Sequence, residues 1–219
     1  MKQKRLNKKQ LKAQKLYRRL EQAYPAARCG LDYSNAWQLL VATILSAQCT
    51  DKRVNQVSVK LFEALPGPAD LAAAELQQVE ELIRSTGFFR NKAKNLIACA
   101  ARLLDRHQGE VPDNLDELVA LPGVGRKTAN VVLGNAFGTP GMVVDTHVKR
   151  LANRFGWTKS DNPVQIEKEL EALLPQEDWT QVGHTLIAHG RVCCKAPTPV
   201  CSQCSIIDIC PKVGVSRAK

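Results

Sequence analysis

No stretch of the 219 residues approaches the roughly twenty consecutive apolar positions that a bilayer-crossing helix needs, although hydrophobic residues make up 44% of the chain. A soluble protein is expected, and the length suits one large domain or two modest ones. Runs of alternating apolar and polar residues are also missing, so no sheet is expected. No internal period repeats, and no linker is long enough to be disordered. The first twenty residues hold nine lysines and arginines and no acid. They lack the apolar core of a secretory signal and the serines of a mitochondrial one, so neither address fits. Leu6, Ala13, Leu16, Tyr17, Leu20 and Tyr24 instead approximate a helical stripe, which predicts a docked amphipathic helix with a frayed basic start.

The formal charge of +10 resembles a nucleic-acid signature, yet outside those twenty residues 22 basic residues face 21 acidic ones. Segregation carries more information than the total. Arg84, Arg90, Lys92, Lys94, Arg102 and Arg106 form a basic block, whereas 161 to 178 holds six acids and one lysine. Such blocks can give a folded surface a positive face and a negative one.

From residue 34 onward the pattern is helical nearly everywhere, which predicts an all-α protein. Helices are expected near 6 to 24, 35 to 47, 51 to 64, 75 to 86, 91 to 107, 114 to 120, 125 to 136, 146 to 155, 164 to 174 and 179 to 190. Pro66-Gly67-Pro68, Gly87, Gly109, Pro112, Gly138 to Gly141, Pro163 and Pro175 fall between them as breakers.

LPGVGRKTAN, residues 121 to 130, turns tightly and then enters a helix on Arg126 and Lys127. A dinucleotide fingerprint would need a preceding strand and a third glycine, but NLDELVAL is helical and Thr128 occupies the third position. A Walker loop would need a longer span between its glycines. Helix, hairpin, helix remains. Gly123 and Gly125 permit the turn, and the free amides that open the second helix suit a phosphate. Such a contact positions DNA without reading its sequence. The competing reading is an ordinary turn between antiparallel helices.

Eight cysteines do not form a secreted framework, because five of them crowd into residues 193 to 210 while Cys29, Cys49 and Cys99 lie scattered in apolar or helical sequence. In CKAPTPVCSQCSIIDIC the gaps from Cys194 are six, two and five residues. Four thiolates from one short loop can enclose a zinc ion or an iron-sulfur cluster, and the spacing alone leaves both open. Cys193 competes with Cys194 as first ligand. His107, His184 and His189 have no constellation to join.

LPGVGRKTANVVLGNAFG, followed by VVDTHVKR, resembles the helix-hairpin-helix motif and acidic partner of the endonuclease III family of DNA glycosylases. LLVATILSAQCTD is similar to that family's helix and loop with an intercalating glutamine, and the cysteine spacing is similar to its 4Fe-4S loop. The likeness runs over roughly residues 15 to 211. It implies two lobes: a six-helix barrel over 29–139 with the hairpin motif at 114–136, and a cluster domain of 1–28 with 140–219. DNA would lie across the groove between them. Cys194, Cys201, Cys204 and Cys210 would hold the cluster.

The resemblance also assigns roles. Gln48 would fill the gap left by an extruded nucleotide, and Phe88 would act as a wedge; without it they read as a polar helix end and a core aromatic. Gly123, Val124, Gly125, Arg126, Thr128 and His147 would contact DNA, and, by charge and not by the resemblance, Lys195, Arg191 and Lys212 around the cysteines would present positive charge to it. Lys127, otherwise an ordinary solvated lysine, would attack C1′ of the damaged nucleotide as a neutral amine favoured by the helix start and a dry pocket. Asp145 would take up the proton or stabilise charge on the sugar, while also capping the helix that begins at Thr146. The expected activity is that of a bifunctional glycosylase and AP lyase on oxidised pyrimidines in double-stranded DNA. The expected state is a monomer in the bacterial cytoplasm, with the nucleus as an alternative. Rival readings are a monofunctional mismatch or adenine glycosylase, against which Lys127 argues, and a non-catalytic iron-sulfur module, which would need neither Lys127 nor Asp145.

Overall fold

The computed structural model describes residues 6–219; the first five residues of the basic start lie outside the described residues. Among the described residues there is no strand, and eleven α-helices with short 3-10 segments and one π turn carry the fold, as the sequence pattern predicts. None of these helices is long and apolar enough to cross a membrane. Two compact units divide the chain, Cys29–Thr139 and Met1–Arg28 with Pro140–Lys219.

The first unit is built around α2 (Ala36–Leu45), whose residues Leu39 to Leu45 are all buried. A helix that is apolar all round has to be enclosed on every side. It packs against α3 (Asp51–Ala64), α6 (Phe89–His107) and α8 (Arg126–Val132). Asn35 and Thr50 open α2 and α3 by accepting the amides of Gln38 and Arg53 at 2.9 and 3.3 Å. Each cap satisfies one of the donors that a helix start leaves without a partner.

Pro66-Gly67-Pro68, expected as a breaker, opens a helix that the sequence pattern does not announce, α4 (Pro68–Ala73). Proline at the first helical position loses no hydrogen bond, because that amide would have had no intrahelical partner. The Gly67 amide donates to Asp70 Oδ2 at 2.9 Å, and Leu71 is buried as α4 packs on α6. Next come α5 (Leu76–Ile83), a 3-10 turn at Arg84–Thr86, then α6, which buries Lys92, Ala93, Leu96, Cys99, Ala100 and Leu103 at helical spacing. Short α7 (Leu115–Val119) starts from the Asn114 cap. The helix expected over 125 to 136 is α8 followed by a π turn, Leu133–Phe137. Asn135 Nδ2 donates to the Val131 carbonyl at 2.8 Å and so intrudes on the backbone ladder there.

The second unit gathers α1 (Lys8–Ala23), α9 (Thr146–Arg154), α10 (Pro163–Leu173), α11 (Trp179–Val192) and the cysteine loop. Its core includes Leu16, Tyr17 and Leu20 of α1 with Leu151, Phe155, Trp157, Leu170, Leu186 and Ile206. Leu6, at the head of the expected stripe, stays exposed. Arg18 closes on Asp178 with two bonds of 3.0 and 2.6 Å, which fixes α1 to the start of α11. Gly190 allows α9 and α11 to approach, since a Cβ there would stand 2.9 Å from His147 Nδ1 and 3.0 Å from the Arg150 guanidinium.

Candidate functional site

In the first unit the hairpin between α7 and α8 is closed by Val124 N donating to Leu121 O at 3.1 Å. Its two glycines differ. Gly123 has φ +77°, and a Cβ there would lie 2.8 Å from the Asn95 Cβ, so local conformation and packing both demand glycine. Gly125, the N-cap of α8, has φ −92°, and a Cβ there would meet no protein atom within 4 Å. Nothing inside the protein requires glycine at Gly125. Arg126 and Lys127 are exposed on the first turn of α8, Thr128 is half-buried, and Val124 is buried. The dry surroundings expected for Lys127 are not present in its own unit, where it is exposed.

Gln48 and Phe88 also belong to this unit, each on a short connection after a helix end. Both adopt the left-handed conformation, φ 53° and φ 49°, and both are exposed. Phe88 leaves 62% of its surface accessible, which rules out the core-aromatic reading. That backbone region costs a non-glycine residue about 1–2 kcal/mol, and Gln108 and Lys212 are left-handed and exposed as well, so the conformation alone assigns no role.

In the second unit Asp145 is the N-cap of α9, its Oδ1 accepting from Val148 N at 2.8 Å. Two residues on, His147 Nδ1 lies 3.1 Å from the Arg150 guanidinium. Arg150 donates in turn to the carbonyls of Gly190 and Cys194 at 3.0 and 3.1 Å. Burial and the neighbouring Arg154 hold the Arg150 pKa below the ordinary arginine value. Arg154 donates to the carbonyls of Lys195 and Pro197 at 2.9 and 3.0 Å and to Cys194 Sγ at 3.2 Å. These two arginines organise the cysteine loop. The Lys195 side chain is exposed.

Cys194, Cys201, Cys204 and Cys210 line one small cavity, and Cys193 and His189 line it too. The ligand atoms that lie within 4.8 Å of one another are those of His189, Cys193 and Cys204, so only one of the four expected cysteines is in that tight group. His189, which the sequence leaves without a constellation, is buried here, bonded through Nδ1 to the Tyr24 hydroxyl at 2.9 Å. Burial, reinforced by Arg150, pushes its pKa down to about 4, so it is a neutral imidazole at pH 7. The Cys193 thiol donates to Val200 O at 3.2 Å. Soft sulfur donors converging on one small cavity match the chemistry of an iron-sulfur cluster or a thiolate-bound metal.

Residues 41–176 match the model of the HhH-GPD superfamily base excision DNA repair proteins. Over 198 residues the chain is 52% identical to Endonuclease III of Synechocystis sp., a match that covers 90% of each protein. Among solved structures it superposes with a TM-score of 0.88 on a non-covalent Endonuclease III–DNA complex. That protein is 43% identical, and the match covers 95% of this chain and 97% of that one. A trapped Endonuclease III–DNA covalent intermediate superposes with the same TM-score, identity and coverage. The chain belongs to the HhH-GPD superfamily of base excision repair proteins and, within it, to the endonuclease III family of DNA glycosylases with lyase activity.

Proposed function

We propose that this glycosylase and lyase removes oxidised pyrimidines such as thymine glycol from duplex DNA and cleaves 3′ to the resulting abasic site, with Lys127 as nucleophile. The observation that carries the reading is Lys127 itself, exposed on the first turn of α8 next to a hairpin whose Gly125 is open to an outside group. A relative 43% identical forms a covalent intermediate with DNA, and a nucleophilic amine accounts for such a bond.

The neutral Lys127 amine attacks C1′, the C1′–N bond to the base breaks, and the base leaves with the bonding pair. Asp145 accepts the proton shed by the ammonium and passes it to O4′ as the C1′–O4′ bond breaks, so the ring opens and the nitrogen lone pair forms the imine to C1′. The imine then acidifies the 2′ hydrogen, whose loss expels the 3′ phosphate, and water releases the sugar fragment from Lys127. Backbone amides of Gly123 and Gly125, with Arg126 and Thr128, bear on phosphate, while Val124, whose amide is held by Leu121 O, braces the hairpin from within. His147 and Lys195 contact the DNA, and Gln48 and Phe88 occupy the space vacated in the stack.

Cys194, Cys201, Cys204 and Cys210 are the assigned holders of a 4Fe-4S cluster, supported by the shared cavity and by the bond that engages Cys193 with Val200. The cluster supplies a rigid cross-link to a loop with little apolar core of its own. On this reading the protein acts as a monomer in the bacterial cytoplasm, in keeping with its bacterial relatives.

Borohydride reduction in the presence of an abasic-site duplex tests the nucleophile. A covalent adduct should form with the wild-type protein and vanish in Lys127→Ala; undiminished trapping in that variant would remove Lys127 from the mechanism. Asp145→Asn should retain duplex binding and lose roughly 10²–10⁴-fold in turnover, the range for a positioned acid or base.

A further inference from the structure

Lys92, which the sequence pattern places in a basic block, is only 5% exposed. Its Nζ donates to Leu45 O at 2.8 Å and to Thr86 O at 2.8 Å. Leu45 is the last residue of α2 and Thr86 the last of the 3-10 turn after α5. A helix end exposes carbonyls without intrahelical partners and carries partial negative charge, so one ammonium serves two ends at once. Both acceptors are neutral carbonyls, not carboxylates. Burying a lysine is costly, and leucine or methionine would fill a core position at this spacing on α6 without that cost.

Each of the two carbonyls lies just ahead of an exposed residue. Gln48 comes three residues after Leu45, and Phe88 comes two residues after Thr86. Both are left-handed and exposed. The Lys92 amide also donates to the Phe88 carbonyl at 3.1 Å, so one residue touches the approach to both.

We propose that Lys92 is a positioning residue, whose ammonium joins the ends of the two segments carrying Gln48 and Phe88 and sets the spacing at which they enter the duplex. This rests on the reading of Gln48 and Phe88 as the groups that fill the opened stack. The arrangement couples the two: a shift of either helix end moves the shared cation and thereby the other.

The test compares two reactions of the whole protein. Base release from a duplex with a paired thymine glycol requires opening of the stack, whereas cleavage at a ready-made abasic site requires far less of it. Lys92→Met keeps the length and apolar stem but removes the bonds. It should slow base release about tenfold and abasic cleavage less than about threefold. Fluorescence of 2-aminopurine placed beside the lesion should show opening slowed by the same factor as base release. Lys92→Arg keeps a cation with displaced donors and should show the same selective loss at about threefold. Adding Lys92→Met to Gln48→Ala should slow base release by clearly less than the product of the two single losses, because only the Phe88 share of the positioning is left to lose.

Equal slowing of both reactions, no slowing in either variant, or additive loss in the double variant would overturn the positioning role. If Gln48→Ala and Phe88→Ala themselves release base at the wild-type rate, the wedge reading fails and takes this proposal with it. If they are slow while Lys92→Met is not, only Lys92 is dismissed.

Discussion

Gly123 and Gly125 stand two positions apart on one turn, and the reasons for glycine at each are different. At Gly123 the backbone is left-handed and Asn95 fills the space a side chain would need. Gly123→Ala should therefore lower folding stability by about 1–3 kcal/mol, read by urea unfolding. At Gly125 the backbone suits any residue and the space is empty of protein. Serine is a better N-cap than glycine, so Gly125→Ser should hold or raise the melting temperature. Its side chain would nevertheless stand where a phosphate approaches, and duplex affinity should fall about tenfold, or about 1.4 kcal/mol. Unchanged affinity in Gly125→Ser would mean that the hairpin does not meet DNA at this point. The same contrast bears on legibility. LPGVGRKTAN identifies a hairpin from its glycines, but only the three-dimensional surroundings separate a glycine required by the fold from one left open.

At the scale of the element, local rules explain what the sequence reveals. Asn35, Thr50, Asn114 and Asp145 each cap a helix whose start can be read from the residue type alone. Pro68 misleads because proline both breaks helices and begins them. The cysteine loop shows where local reading ends. Its thiols are conspicuous in the sequence, yet the groups that shape it are Arg150 and Arg154 on α9 and His189 on α11, and the arginines' main partners are backbone carbonyls. A carbonyl leaves no trace in side-chain spacing. Lys92 resembles a surface cation for the same reason, since its acceptors lie 47 and 6 residues away. Arg154→Ala would leave the Lys195 and Pro197 carbonyls without their donor, but both belong to exposed residues that water can reach, so stability should fall by no more than about 0.5–1.5 kcal/mol. The purified wild-type protein should absorb near about 400 nm through iron-sulfur charge transfer, and Arg154→Ala should carry less of that absorbance per chain. Zinc in place of iron in the wild-type protein would overturn the cluster assignment; full absorbance in Arg154→Ala would show that the loop holds its shape without the guanidinium.

Across the whole molecule the charge is uneven, and its uneven placement separates attraction from recognition. Nine basic residues lie within the first twenty, and the remainder of the chain is close to neutral. On α1, Arg18 is bonded to Asp178 and Arg19 to Asp208, while Lys8, Lys12 and Lys15 are exposed. Lysines on such a helix raise the local concentration of any polyanion, with an energy that depends on salt and not on sequence or damage. Replacing Lys8, Lys12 and Lys15 together by glutamine removes no core packing, so stability should change by less than about 0.5 kcal/mol. Affinity for intact and for lesion-bearing duplex should fall by the same factor, and the slope of log affinity against log salt should flatten by up to about one for each phosphate no longer neutralised. The ratio between the two duplexes should stay constant. Gln48→Ala should do the opposite, reducing the ratio while leaving the salt slope unchanged, because an uncharged side chain in the stack releases no counterions. A triple-glutamine variant whose preference for damaged duplex falls would show that α1 takes part in discrimination, and the division between a charged approach and an uncharged reading step would then be wrong.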